Sequence, residues 1–153
     1  MAKTKIEGLA GLQANVGKEI GKSDWYDLRF DDIVRFADAT GDHQWIHVDR
    51  ERIAKESPFG APIAHGYLTL SRIAGIFLEV VEISGFSAVL NYGLNKVRFP
   101  APLKEGARYR LASTLQSVNE VKGGVEAVFV NTIEIEGEAK PACVAECVFR
   151  FFG

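Results

Sequence analysis

The sequence predicts an α+β domain in which an antiparallel sheet wraps around one long central helix. Three observations carry this expectation. The segment from Gly66 to about Ile83 repeats apolar residues at helical spacing and is apolar on most of its sides. Three segments of the second half alternate polar and apolar residues as half-buried strands do. Gly123-Gly124 separates two of them as a hairpin signal. The 153 residues fit a single domain spanning 1–153. A chain of that length buries roughly 68–70% of its unfolded surface, enough for a core without staples.

Taken in order, the first fifteen residues read as weakly structured or helical, and a short strand is expected around Ser23 to Phe30. Asp31 offers an N-cap oxygen to a helix through Ile33, Val34, Phe36 and Ala37. That helix should end near Thr40-Gly41, where glycine permits a left-handed exit. A short helix is expected from Asp49 to about Glu56, and Ser57-Pro58 and Ala61-Pro62 bound a loop. In the long helix, Leu70, Ile73, Ala74, Phe77, Val80 and Val81 share one side, while Tyr67, Ile76 and Leu78 make the other apolar too. Such a helix belongs in a core, so a sheet should cover it. Ala88 to Pro100 reads as extended. Its apolar parity switches from Leu90, Tyr92 and Leu94 to Val97 and Phe99, which suggests a bulge or a crossing between environments. Tyr109, Leu111 and Leu115 then alternate with Arg108, Arg110 and Gln116. Val125 to Glu136 follows the glycine pair, and Cys143, Ala145, Cys147, Phe149 and Phe151 share one face of the last strand.

Composition excludes several classes. Eighteen Lys and Arg against 20 Asp and Glu give a net charge of −2, with no electrostatic footprint for nucleic acid or an anionic membrane. The first seventeen residues lack an apolar h-region, so no secretory leader is expected. Ile73 to Ile83 is broken by Glu79 and Glu82 and is too short to span a bilayer. A cytoplasmic location is expected. Cys143 and Cys147 stand four apart on one strand, at about 3.3 Å per residue, too far for a disulfide. They read as two small buried residues in a reducing compartment. No histidine lies near them in sequence, so no metal site is expected there.

Chemistry concentrates in two stretches, which hold all three histidines, His43, His47 and His65. Phe36-Ala-Asp-Ala-Thr-Gly-Asp-His-Gln-Trp-Ile-His-Val-Asp49 places Asp42 and His47 five apart after a helix exit. Five is a poor spacing for one helical face, so the two meet only through a turn. A carboxylate beside an imidazole orients the ring or shares a water with it. On these residues alone, a turn aspartate and a satisfied half-buried histidine remain an equally open reading. In Gly60-Ala-Pro-Ile-Ala-His65-Gly66, the His65-Gly66 pair opens the long helix. Its start offers unpaired backbone N–H groups and partial positive charge to a developing oxyanion. The plainer alternative is that His65 caps the helix and Gly66 permits tight packing.

Together the stretches resemble the MaoC-like dehydratases, the hot dog-fold family that includes the (R)-specific enoyl-CoA hydratases. The resemblance rests on Phe36-Ala37, Thr40-Gly41-Asp42, Ile46-His47 and Ala64-His65-Gly66, with Asn95 to Leu103 and Gly106 matching the later strand and turn. Gln44-Trp45 departs from the commoner Asn-Pro, and with Asn91 to Lys96 looks like the branch named after nodulation protein N. The resemblance implies a single hot dog domain and reversible hydration of a trans-2-enoyl thioester to an (R)-3-hydroxyacyl thioester. It implies that Asp42 and His47 activate the water, and that the Gly66 N–H meets the thioester oxygen. His65 belongs to the same pocket, and Ser71 helps hold the site together. Asn95, Lys96 and Arg98 are candidates for the CoA phosphates, against a default of solvated charge. The substrate is then an enoyl-CoA or 3-hydroxyacyl-CoA, with no metal and no cofactor beyond the thioester itself. A homodimer is implied, with the active site at its interface and Phe30, Trp45, Tyr92 and Leu94 as candidate interface residues. His43 has no assigned role.

Two other classes compete. A hot dog acyl-CoA thioesterase, or a dehydratase using a helix glutamate, needs a carboxylate early in the central helix. The first acidic residue after His65 is Glu79, about 21 Å along a helix rising 1.5 Å per residue. A non-catalytic acyl-thioester binding protein would need neither Asp42 nor His47.

Overall fold

The computed structural model describes residues 2–153. The chain begins with β1 (Thr4–Glu7), α1 (Gly8–Ala14), β2 (Glu19–Lys22) and β3 (Tyr26–Asp27). A helical segment follows, made of α2 (Phe30–Thr40), α3 (Trp45–Val48) and α4 (Arg50–Glu56). Then come α5 (Gly66–Val80), β4 (Val81–Ser84), β5 (Ala88–Arg98), β6 (Arg108–Val121), β7 (Gly124–Ile135) and β8 (Cys143–Phe152). The main sheet runs β2-β6-β7-β8-β5, antiparallel throughout, with β3 also on β6. It curls around α5, the hot dog arrangement expected.

The sheet's inner face supplies Leu111, Leu115, Phe129, Ile133, Cys143 and Ala145, all fully buried. Against it α5 buries Leu68, Ile73, Ile76, Phe77 and Val80. The Phe77 ring meets Phe129 edge-on at 4.9 Å and Phe149 at 5.2 Å. On the outer face, Arg110 and Glu134 sit opposite each other on β6 and β7 and pair at 2.7 Å. Arg150 and Glu126 do the same on β8 and β7 at 3.2 Å. These cross-strand pairs each contribute about 0.2–1 kcal/mol. The Lys122-Gly123 turn joins β6 to β7, and Gly124 is required because a Cβ there would lie 2.0 Å from the Phe151 carbonyl oxygen.

Several expectations are corrected. The first fifteen residues contain a strand as well as a helix. The short strand expected around Ser23 to Phe30 is the two-residue β3, and β2 before it is an addition. The N-cap of α2 is Arg29, whose backbone N–H donates to the Asp32 carboxylate at 3.1 Å, whereas Asp31 pairs with Arg35 at 2.8 Å. The exit at Gly41 is left-handed (φ 81°), as expected. α4 starts from Asp49, whose carboxylate accepts from the Arg52 N–H at 3.0 Å, but α3 was not foreseen. The central helix stops at Val80, because Val81 to Ser84 pair in parallel with Thr4 to Glu7. That partner lies some 75 residues away, and β-branched Val81 and Ile83 suit a strand once it is present. The switch of parity in β5 is a bulge between Leu94 and Lys96, and a second bulge lies between Asn91 and Gly93.

Both cysteines are free and buried, and burial pushes the Cys143 thiol up to about 12, well away from a reactive thiolate. No helix among the described residues is long and apolar enough to cross a membrane.

Candidate active site

The loop between α2 and α3 and the entry to α5 converge on one point. Gly41 turns the chain out of α2, and the exposed Asp42 side chain accepts from the Gln44 N–H at 3.3 Å. Three residues on, His47 is buried (6% exposed) in the single turn of α3. Its Nδ1 lies 2.6 Å from the Ile63 carbonyl oxygen. A carbonyl only accepts, so Nδ1 carries the hydrogen and Nε2 is the basic nitrogen of the neutral ring. Burial holds His47 below the ordinary histidine range, against the raising effect of the Ile63 carbonyl.

His65 is 3% exposed and stacks on His47, with ring centroids 3.8 Å apart and planes inclined by 21°. Phe36 packs on it at 4.9 Å. The His65 Nε2–H donates to the backbone carbonyl of Asp42 at 2.9 Å, which leaves Nδ1 as the acceptor, buried and without a partner among the described residues. His65 occupies the N-cap position of α5, but its side chain makes no cap bond, so the plainer alternative of a capping imidazole does not hold.

A carboxylate oxygen of Asp42 and a ring nitrogen from each of His47 and His65 lie within 4.8 Å of one another. Two ligands at such a spacing can share a water, with about 2.8 Å on each side. They fit a metal ion poorly. A metal lies in the plane of each imidazole about 2.0–2.1 Å from its nitrogen, and nearly parallel rings stacked 3.8 Å apart cannot aim both lone pairs at one ion.

Gly66 opens α5 immediately beyond His65, so its N–H has no intrahelical partner and sits at the positive end of a helix of fifteen residues. One neighbour of Gly66 was missed from sequence: a Cβ here would come within 3.2 Å of the half-exposed Phe99 ring, a tight contact that the ring would have to relieve by shifting slightly. The remaining candidates are not drawn in. Ser71 is exposed and donates to the Tyr67 carbonyl at 2.6 Å, within its own helix. Asn95 is exposed on β5, and Arg98 donates to the carbonyl of its neighbour Val97. Glu79, the only acid on α5, receives the Tyr26 hydroxyl far down the helix. His43 pairs with exposed Asp38 at 2.9 Å, which raises its pKa, and takes no part in the cluster.

The profile of the MaoC like domain family matches residues 12–138. The chain is 48% identical over 147 residues to 3-hydroxyacyl-thioester dehydratase Z of Mycobacterium tuberculosis, covering 95% of this chain and 97% of that protein. It is 43% identical over 143 residues to nodulation protein N of Rhizobium leguminosarum bv. viciae, covering 92% and 88%. Among solved structures, the (R)-hydratase from A. caviae involved in PHA biosynthesis superposes with a TM-score of 0.69 at 22% identity, covering 87% of this chain and 96% of that one. At that identity the likeness concerns the fold.

Proposed function

The chain belongs to the MaoC-like family, and we propose that within it Asp42 and His47 add water across a trans-2-enoyl thioester to give the (R)-3-hydroxyacyl thioester, or remove it in the reverse direction. The observation that carries this is the convergence of an exposed carboxylate and a buried, oriented, neutral imidazole beside the start of α5. The water oxygen bonds to C3 as the pair takes its proton. The π electrons of the C2–C3 double bond move onto the thioester carbonyl, and the resulting enolate collects a proton at C2. The Gly66 N–H is suited to the enolate oxygen, an interaction stronger in the transition state than in the ground state.

Crotonyl-CoA tests this reading directly. The enoyl absorbance should fall on addition of enzyme. Rapid thiol release from a saturated acyl-CoA without hydration would place the protein among the thioesterases instead. The base must be neutral, and burial depresses its pKa. The rate should therefore hold as pH falls through about 6.5, the ordinary histidine value, and decline only in more acid solution. A profile already half lost above neutrality would contradict the role given to His47.

The second copy is part of the same proposal. Every residue of β5 is exposed or half-exposed, and its outer edge has no strand beside it among the described residues. Leu90 and Tyr92 stand 56% and 58% exposed on its outer face, where the Arg150 guanidinium lies over the Tyr92 ring at 3.6 Å, while Val89 on the opposite face stands 53% exposed beside Leu78 of α5. A long apolar edge of this kind supports strand-to-strand pairing of two copies about a two-fold axis. Leu94, beyond the bulge at Asn91 and Gly93, stands opposite Cys147 and faces the α5 side beside Leu70. Phe30 and Trp45 lie on α2 and α3 and not on this strand, with Arg50 and Arg52 of the same chain over their rings at 3.9 and 4.2 Å. Light scattering should give twice the 16.8 kDa protomer mass, and Leu90→Glu should halve it. An unchanged mass in that variant would remove β5 from the interface.

A further inference from the structure

We propose that His65 is a positioning residue that holds Asp42 and His47 in register with each other and with the start of α5. The role rests on the assignment of hydration to Asp42 and His47. Asp42 lies on an exposed loop whose own hydrogen bonds are long, 3.4 Å from its N–H to the Thr40 hydroxyl and 3.3 Å from the Gln44 N–H to its carboxylate. The shorter bond to this residue comes from 23 positions away, from the His65 Nε2–H to its carbonyl at 2.9 Å. The face of the same ring lies against His47 at 3.8 Å. One imidazole thus ties the backbone of the carboxylate and sets the plane of the base. Because His65 precedes Gly66 directly, both are referenced to the amide suited to the enolate oxygen.

The chemistry of the ring supports this role over simple packing. His65 is buried between Phe36 and His47, where a phenylalanine would fill similar space. Histidine instead leaves Nδ1 buried with no partner among the described residues, and an unpaired buried acceptor is unfavourable. Histidine at this position supplies a directed bond to a reacting residue's backbone that phenylalanine cannot make. Displacement of reacting groups by about 1 Å costs on the order of 10²-fold in rate.

Two variants separate the hydrogen bond from the ring. His65→Phe keeps an aromatic ring and removes the donor. His65→Gln loses the ring and keeps an N–H within reach of the Asp42 carbonyl. Steady-state hydration of crotonyl-CoA should show kcat of His65→Phe reduced by about 10–100-fold, with KM within about threefold, at undiminished thermal stability. His65→Gln should recover most of that kcat. Wild-type kcat in His65→Phe, a loss confined to KM, or a deeper loss in the glutamine variant would each overturn the proposal. A second readout needs no activity. Long-range ¹H–¹⁵N spectra of histidine-labelled wild-type protein should show His65 protonated at Nε2 and His47 at Nδ1. His65 protonated at Nδ1 instead would break the tether. If the wild type fails to hydrate crotonyl-CoA while these tautomers stand, the hydration reading fails and the tether does not.

Discussion

Replacing Asp42 with asparagine is expected to lower kcat for crotonyl-CoA hydration by about 10²–10⁴-fold, the usual contribution of a positioned acid or base. Asparagine retains the carbonyl oxygen that accepts from the Gln44 N–H, so the loop should keep its shape. What is lost is the negative charge and the lone pair available to the water. His47→Gln should lose a similar factor, because an amide cannot take a proton from water. The double variant should be little worse than either single one, since the two residues act on one water. Asp38→Asn is the control. Asp38 and His43 form a carboxylate–imidazole pair at 2.9 Å only a few residues away, but both are exposed and outside the cluster, so this variant should turn over normally. Wild-type rates in Asp42→Asn and His47→Gln would show that the roles are misassigned.

The largest effect on stability should come from Phe129→Ala. Phe129 is fully buried on β7, edge-on to Phe77 of α5 and 5.8 Å from Phe149 of β8. Truncation removes the contact between the central helix and the middle of the sheet and leaves a cavity that the neighbouring strands cannot close. The expected loss is about 3–5 kcal/mol. For a domain of this size that corresponds to a fall in Tm of roughly 6–20 °C, measured at fixed protomer concentration because an oligomer's stability depends on it. A shift of only a degree or two would mean that the core repacks around the missing ring.

Much of the fold was legible because its signals are local. The helix from Gly66 declares itself by spacing, the left-handed exit by Gly41, and the inward face of β8 by alternation from Cys143 to Phe151. The parity switch in β5 is also local, and it located a real bulge near Asn95. The errors arose where a distant segment decides. Val81 to Ile83 continue the helical apolar pattern in sequence, yet they form a strand because Thr4 to Ile6 offer a hydrogen-bonding partner. Asp31 looked like a cap, but the turn before the helix places the Asp32 carboxylate, and not that of Asp31, at the Arg29 N–H.

The site divides in the same way. Asp42, His47, His65 and Gly66 stood out as a motif, and three of them do converge. Ser71, Asn95 and Arg98 were reasonable by residue type but stay on the surface of α5 and β5. The close approach of Phe99 to Gly66, the Ile63 carbonyl that sets the His47 tautomer, and the tie from His65 to Asp42 were invisible in sequence. Each joins residues 16 to 33 positions apart, and no local pattern encodes such a contact.

By itself, then, the sequence determined which residue types are available to the chemistry, three histidines and one motif carboxylate in an otherwise ordinary composition, and the local periodicities that make one helix and a run of strands. Tertiary structure decided which of those histidines meet. His43 is only four residues from His47, yet it faces solvent, while His65, 18 residues away, stacks on it. The reason is physical. Spacing along a chain sets the direction of a side chain only within one helix or strand, whereas closure of the sheet around α5 brings the α2–α3 loop onto the helix start and selects the pair that shares a buried wall.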